Sequence, residues 1–203
     1  MNTQILTIGH SAHGVDGFVA LLHRHAVSAV ADVRSQPFSR YAPHFNRNAL
    51  QKTLAASGIG YVFLGKELGA RSQDRSCYVN GQVQYERIAR TGTFLTGIDR
   101  LLAGAEAERV AVMCTEKDPL DCHRTLLVAL ALADRGAEVS HILADGRLET
   151  NDEAMSRLLR RHGLDQPDLF RSSDELLEEA LMTQEQRIAY VDQDLAATIT
   201  DRN

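Results

Sequence analysis

The residues best equipped for chemistry lie in one short stretch, Cys114-Thr115-Glu116-Lys117-Asp118-Pro119-Leu120-Asp121-Cys122-His123-Arg124. A thiol at a helix start and beside an imidazole ionises more easily, which makes Cys122, next to His123, a candidate nucleophile. Cys114 is a second candidate, although a cysteine that ends a buried strand is more often a packing thiol. Glu116 can serve as a general base or as a nucleophilic carboxylate. Arg124, in a first helical turn, opposes the helix dipole unless an anion or a carboxylate compensates it, and Asp121 as a cap would do so in part. Free backbone N–H groups at that helix start would favour an anionic ligand. The same side chains also read as metal ligands. Cys114, Cys122 and His123 suit zinc or iron, with His10 or Cys77 as a fourth ligand, although adjacent Cys122 and His123 lack zinc-ribbon spacing.

The elements that must position this stretch alternate. Apolar runs at 5–8, 27–33, 109–114 and 138–143 read as strands, and 58–65 as a turn and strand. Helical spacing recurs at 15–25, 83–90, 93–104 and from Asp121 onward, and Asn46 could cap a helix running to about 57. Residues 34–45 and 66–81 carry no periodicity and read as loops, the second long enough to suggest a function. Tyr41, His44 and Phe45 are expected to pack the first loop. Strands alternating with helices imply an α/β chain, a Rossmann-like three-layer α/β/α sandwich with a mainly parallel sheet and a helical C-terminal tail. The expected division is an α/β domain at 1–150 and a helical extension at 151–203. That extension has a short helix at 155–161, a turn-rich link at 163–172 and a helix capped by 173–175. It would pack on the core or on a partner subunit, so a homodimer through these helices is an open expectation.

In a parallel sheet the strand ends share one edge, so residues after different strands can meet. Gly9-His10-Ser11 follow the first strand, Asp32 to Arg40 the second, and Cys114 to Glu116 the fourth. His10, Ser11, Arg34, Ser35, Ser39, Arg40 and Arg124 are the candidate ligand-binding residues. Asp32, Glu116, Cys114, Cys122 and His123 are the candidate catalytic ones. Each fragment has a plainer alternative. Ser11 is a common cap, Asp32 can simply pair with Arg34, and loop arginines are often only solvated.

Composition narrows the classes. The chain has 203 residues, a net charge of −5, 44% hydrophobic residues, 5% aromatic residues and no Trp. That balance disfavours a DNA-coating surface or an aromatic platform for single strands. Lysine occurs only at 52, 66 and 117. Three cysteines and no recognisable signal segment fit a cytoplasmic protein, and no apolar run reaches membrane-spanning length. Gly9-x-x-x-x-Gly14 lacks the Lys-Ser/Thr of a P-loop, and no Gly-x-Gly-x-x-Gly follows the first strand. Counted from either cysteine, Arg124 is also off the Cys-x5-Arg spacing of cysteine phosphatases.

Four ordered motifs carry a resemblance. They are Ile8-Gly9-His10-Ser11, Asp32-Val33-Arg34-Ser35-x-Pro37-x-Ser39-Arg40, Gly58-Ile59-x-Tyr61-x-x-Leu64-Gly65-x-x-Leu68-Gly69, and Cys114-x-Glu116 with Cys122-His123-Arg124. Together they resemble the family called domain of unknown function 488, over residues 5 to about 144. One departure is Ala70, where a second glycine is expected. The resemblance implies the fold and the site but no activity.

The leading expectation is an enzyme, a hydrolase or transferase, that binds a phosphorylated or nucleotide-like anion at the carboxyl edge. The alternatives are a zinc or iron protein using Cys114, Cys122 and His123, and a non-catalytic module binding nucleic acid or a regulatory ligand. No particular cofactor is indicated by the residues.

Overall fold

The computed structural model describes residues 3–200. Residues 1–2 and 201–203 of the expected segments lie outside them. Strand β1 (Gln4–Gly9) is followed by helix α1 (Val15–Arg24), β2 (Ala29–Asp32), α2 (Arg47–Ala56) and β3 (Gly60–Phe63). A small hairpin, β4 (Tyr78–Val79) and β5 (Gln82–Val83), precedes α3 (Tyr85–Ala89) and α4 (Gly92–Ala107). Then come β6 (Val110–Cys114), α5 (Leu130–Ala133), β7 (Glu138–Ile142) and β8 (Leu148–Thr150). Helices α6 (Asn151–His162), α7 (Ser173–Ile188) and α8 (Gln193–Thr200) complete the described chain.

Six strands form one sheet in the order β3-β2-β6-β1-β7-β8, with only the β7–β8 pair antiparallel. Side chains alternate across it, as the two-residue period of a strand requires. Leu6, Ile8, Val30, Ala111 and Met113 meet Phe18, Leu22, Leu50 and Leu54 of α1 and α2 on one face. Ile5, Ala31, Val33, Val110, Val112 and Cys114 meet Phe94, Ile98, Leu101, Leu127 and Leu132 on the other. The result is a three-layer α/β sandwich. Each fully buried side chain of this size contributes roughly 1.5–3 kcal/mol of transfer free energy. Around the expected boundary at 150, Thr150 both ends β8 and closes a capping box on α6. Ala154, Met155 and Leu158 of α6 and Ala180 of α7 share the core cluster of the sheet.

Strand order matters most for the site. In the dinucleotide-binding Rossmann order the first two strands are neighbours. Here β6 lies between them, pairing Gly9 with Cys114 on one side and Asp32 with Met113 on the other. The end of β6 is therefore flanked directly by the ends of β1 and β2.

Several expectations need correction. The segment at 66–81 is not wholly loop, since a turn at Arg75–Cys77 and β4 lie within it. Strand β8 is unexpected because it is short, partly polar and at the sheet edge. Ser172, not the 173–175 segment, caps α7. Tyr41 is fully exposed rather than packed, whereas Phe45 is buried. The helix expected from Asp121 is also different. A 3-10 turn, Pro119–Asp121, is capped by Asp118, which accepts from Leu120 N. Cys122 is then extended (φ −143°, ψ 140°), and a π-helical segment, Arg124–Ala129, leads into α5. π-helical turns of this kind often mark functional sites.

Candidate functional site

At the carboxyl edge a cleft of about 250 Å³ is lined by Cys114, Glu116, Cys122, His123, Arg34 and Arg71, among others. Cys114 reaches it as the last residue of β6, and Cys122 because its extended backbone breaks the helical path. The sulfurs of Cys114 and Cys122 lie 3.7 and 3.9 Å from the same nitrogen, His123 Nδ1. His123 Nε2 is 3.1 Å from the carbonyl oxygen of Val33. A carbonyl only accepts, so Nε2 carries the hydrogen, and Nδ1 is the ring nitrogen that faces both sulfurs. All three ligand atoms lie within 4.8 Å of one another, in buried residues.

Arg124 explains part of the local electrostatics. It is wholly buried, yet its guanidinium meets backbone carbonyls: NH1 donates to Glu116 O at 2.7 Å and NH2 to Lys117 O at 3.4 Å. It has no carboxylate partner among the described residues. Burial opposes ionisation of Cys122, but the hydrogen bond from Cys114, the Arg124 charge and the His123 ring hold it well below the ordinary thiol range. Cys114, giving that hydrogen bond and buried itself, is pushed well up. One thiol of the pair is thus the acid and the other the acceptor. Burial, followed by the neighbouring Cys122, raises the Glu116 carboxyl. A carboxyl with a raised pKa is suited to proton transfer.

Other expected residues do not reach the cleft. Asp32 is wholly buried, and its two oxygens accept from Arg34 N, Nε and NH2 and from the Tyr61 hydroxyl. It is a structural anchor for Arg34 rather than a group facing the cleft. Ser39 Oγ accepts from Tyr41 N and Ala42 N, folding its own loop, and Arg40 is exposed outside the cleft. Ser11 turns the chain after β1 (φ 45°) and bonds Thr115 O. Asp121 does line the cleft, but it pairs with Arg161 at 2.6 Å instead of capping a helix. At the helix start Thr125 N and Leu126 N bond Cys122 O. His10 stacks on Phe45, and its Nε2 faces Arg34 NH1 at 3.3 Å. Neither His10 nor Cys77 joins the Cys114–Cys122–His123 cluster.

Sequence reasoning missed Arg71, Tyr85, Ile188 and Tyr190, all of which line the cleft. Arg71 arrives through glycine-dependent packing. A Cβ on Gly65 would stand 2.0 Å from Arg34 O, and one on Gly69 would be 2.4 Å from Ser35 Oγ. Only residues without a side chain let the 65–71 segment lie against 34–36. The Leu-Gly repeat at 64–69 is the available signal, although it does not point to Arg71 itself. A larger cavity of about 780 Å³ opens beyond Lys117, but its Asp118 and Glu149 are tied to Arg157, and it holds no thiol or imidazole.

The family model for "Domain of unknown function DUF488" matches residues 14–131, more than half of the chain. The chain belongs to this family. No curated protein and no solved structure matches it. Of the cleft residues, those from Arg34 to His123 fall inside the DUF488 match, whereas Ile188 and Tyr190 lie beyond it. The C-terminal segment of this DUF488 protein therefore contributes walls that the family model does not cover. Among the described residues no helix is long and apolar enough to cross a membrane.

Two buried histidines set a pH dependence. Burial and then the Arg34 charge lower His10 to about 4, and burial and then Arg124 lower His141, bonded to Thr7 Oγ1, to about 3. Both stay neutral in the folded chain while unfolded histidine titrates near 6.5. Below that pH the unfolded state binds more protons, so stability falls as pH falls from about 6.5 towards 4. Each histidine should contribute roughly 2 kcal/mol of loss between pH 6.5 and 5. Urea denaturation at the two pH values measures it. The loss should shrink in His141→Gln, and an equal loss in both proteins would reject the assignment.

Proposed function

We propose that this chain is an enzyme whose reacting centre is a divalent metal ion, zinc above all, held by Cys114, Cys122 and His123. Its substrate carries an anionic, phosphorylated or nucleotide-like group. One observation carries the reading: two sulfurs sit 3.7 and 3.9 Å from one imidazole nitrogen. A tetrahedral zinc ion with Zn–S of about 2.3 Å and Zn–N of about 2.0 Å separates S and N by about 3.5 Å. The trio thus stands close to ligand geometry already. The hydrogen bond from His123 Nε2 to Val33 O supplies the outer-shell orientation that metal-binding histidines commonly have. Three protein ligands leave a fourth position open, the arrangement of catalytic rather than structural zinc. Glu116, beside the trio in the same cleft, is the group placed to move a proton.

A second reading is favoured by Arg124. A buried cation without a carboxylate needs a nearby anion, and a Cys122 thiolate provides one. In that reading Cys122 is the nucleophile and His123 its base. Elemental analysis of the purified protein and cobalt(II) titration separate the two. The metal reading expects about one equivalent of metal, sulfur-to-cobalt charge-transfer absorption on titration, and loss of both in Cys122→Ser and His123→Ala. A wild-type protein that holds no metal and shows no such absorption overturns it. Rapid alkylation of Cys122 at neutral pH in that protein, lost in His123→Ala, would then support the nucleophile.

A further inference from the structure

We propose that Arg71 is the recognition residue for a phosphate-bearing part of the substrate, which extends from the thiol–imidazole centre into a second, adjoining cavity. The inference rests on the reading of that centre as the reacting site. The second cavity, of about 350 Å³, is lined by Ser35, Lys66, Arg71, Ser72 and Thr93, together with Glu67 and Asp74. Ser35 and Arg71 also line the cleft that holds Cys114, Cys122 and His123. The two spaces therefore meet at Arg71, and a ligand filling both is of ordinary size for a small-molecule site.

Arg71 is positioned but not neutralised. Its guanidinium lies 4.5 Å over the Tyr190 ring, and NH1 donates to Gln36 Oε1 at 2.9 Å. It forms no ion pair among the described residues, and neither does Lys66. The three arginines expected to hold an anion are used elsewhere. Arg34 is bound to Asp32, Arg124 to carbonyls, and Arg40 lies outside.

The remaining polar groups point to an acceptor-rich ligand. Ser35 Oγ accepts from Arg71 N and Ser72 Oγ from Asp74 N, so each hydroxyl retains its own hydrogen to donate. Of the carboxylates in the wall, Glu67 pairs with Arg100, and Asp74 accepts from Ser76 N through one oxygen. Two unpaired cations and spare hydroxyl donors match a phosphate group better than a cation or an apolar moiety. Tyr190 lies outside the family match, so the stack that holds Arg71 is supplied by this chain's own C-terminal segment.

Isothermal titration calorimetry with inorganic pyrophosphate as the probe tests the inference. Wild type should bind it with an affinity that weakens as salt rises. Arg71→Gln should weaken binding at least about tenfold and Lys66→Gln less, while both keep the wild-type unfolding temperature. No binding by wild type, or equal binding by Arg71→Gln, overturns the inference. If pyrophosphate binding depends on Arg71 while the protein proves metal-free, the anion subsite stands and the metal centre falls. Metal retention with Arg71-independent binding means the reverse.

Discussion

Replacing Asp32 by Asn should lower the unfolding free energy by about 3–5 kcal/mol, the range for breaking a buried ion pair from one side. Asp32 is wholly buried and Arg34 is 5% exposed. Arg34 NH2 lies 2.6 Å from Oδ2, Nε 2.9 Å from Oδ1, and the Tyr61 hydroxyl donates to Oδ2 at 2.8 Å. An asparagine keeps the shape but turns one acceptor into a donor that faces donors. The guanidinium then stays buried without its counter-ion. Urea denaturation with an unchanged m-value measures the loss. Arg34→Met added to Asp32→Asn should recover part of it, because the stranded charge is removed. A loss below about 1 kcal/mol for Asp32→Asn would mean that Arg34 is not dependent on this carboxylate. Asp32 would then be open to the proton-transfer role its position at a strand end first suggests.

The parts of the molecule legible in the sequence are those whose physics is local. Val110–Cys114 reads as a strand because a parallel strand covered on both faces needs an unbroken apolar run. The trio of Cys114, Cys122 and His123 is legible because residues after strands gather at one edge. What the local pattern lacked was the competition for each polar group. The dipole argument for Arg124 leaves its partner open between an anion and a carboxylate, but the carbonyls of Glu116 and Lys117 that receive it are not visible from spacing. The same holds for Asp32, which was legible as a buried carboxylate but not as one saturated by four donors. Arg71 and Tyr190 were harder still. Their stacking joins residues far apart in the chain, through a segment that has no periodicity and packs by glycine contact. The place of β6 between β1 and β2 is likewise a tertiary choice. Local patterns indicate alternation of strands and helices, while their order in the sheet depends on which faces each crossover can cover.

Gly9→Ala should damage the site and the fold together. Gly9 pairs with Cys114, and beyond it His10 N bonds Cys114 O at 2.9 Å and Ser11 N bonds Thr115 O at 2.8 Å. The chain leaving β1 therefore tracks the chain leaving β6 at backbone distance. A Cβ on Gly9 would stand 1.8 Å from Glu116 O and 3.2 Å from Arg124 NH1. The first of these is backbone, so no rotamer change relieves it, and the loop bearing Glu116 must move. That movement takes the carbonyl from Arg124 and shifts the segment between the two thiols. Overpacking of this kind costs about 1–3 kcal/mol. The expected result is a lower unfolding temperature together with weaker cobalt(II) binding than wild type. Gly104→Ala is the contrasting substitution. Gly104 sits inside α4 with nothing within 4 Å of an added Cβ, so alanine there should raise stability by about 0.5–1 kcal/mol and leave metal binding unchanged. If Gly9→Ala matched wild type in both measurements, the contact between the β1 exit and Glu116 would not be what holds the loop in place. If it lost stability alone, the loop would be structural and Cys114 would keep its geometry without it. Loss of both ties the close approach of two backbones, which only glycine permits, to the placing of the Cys114–Cys122–His123 trio.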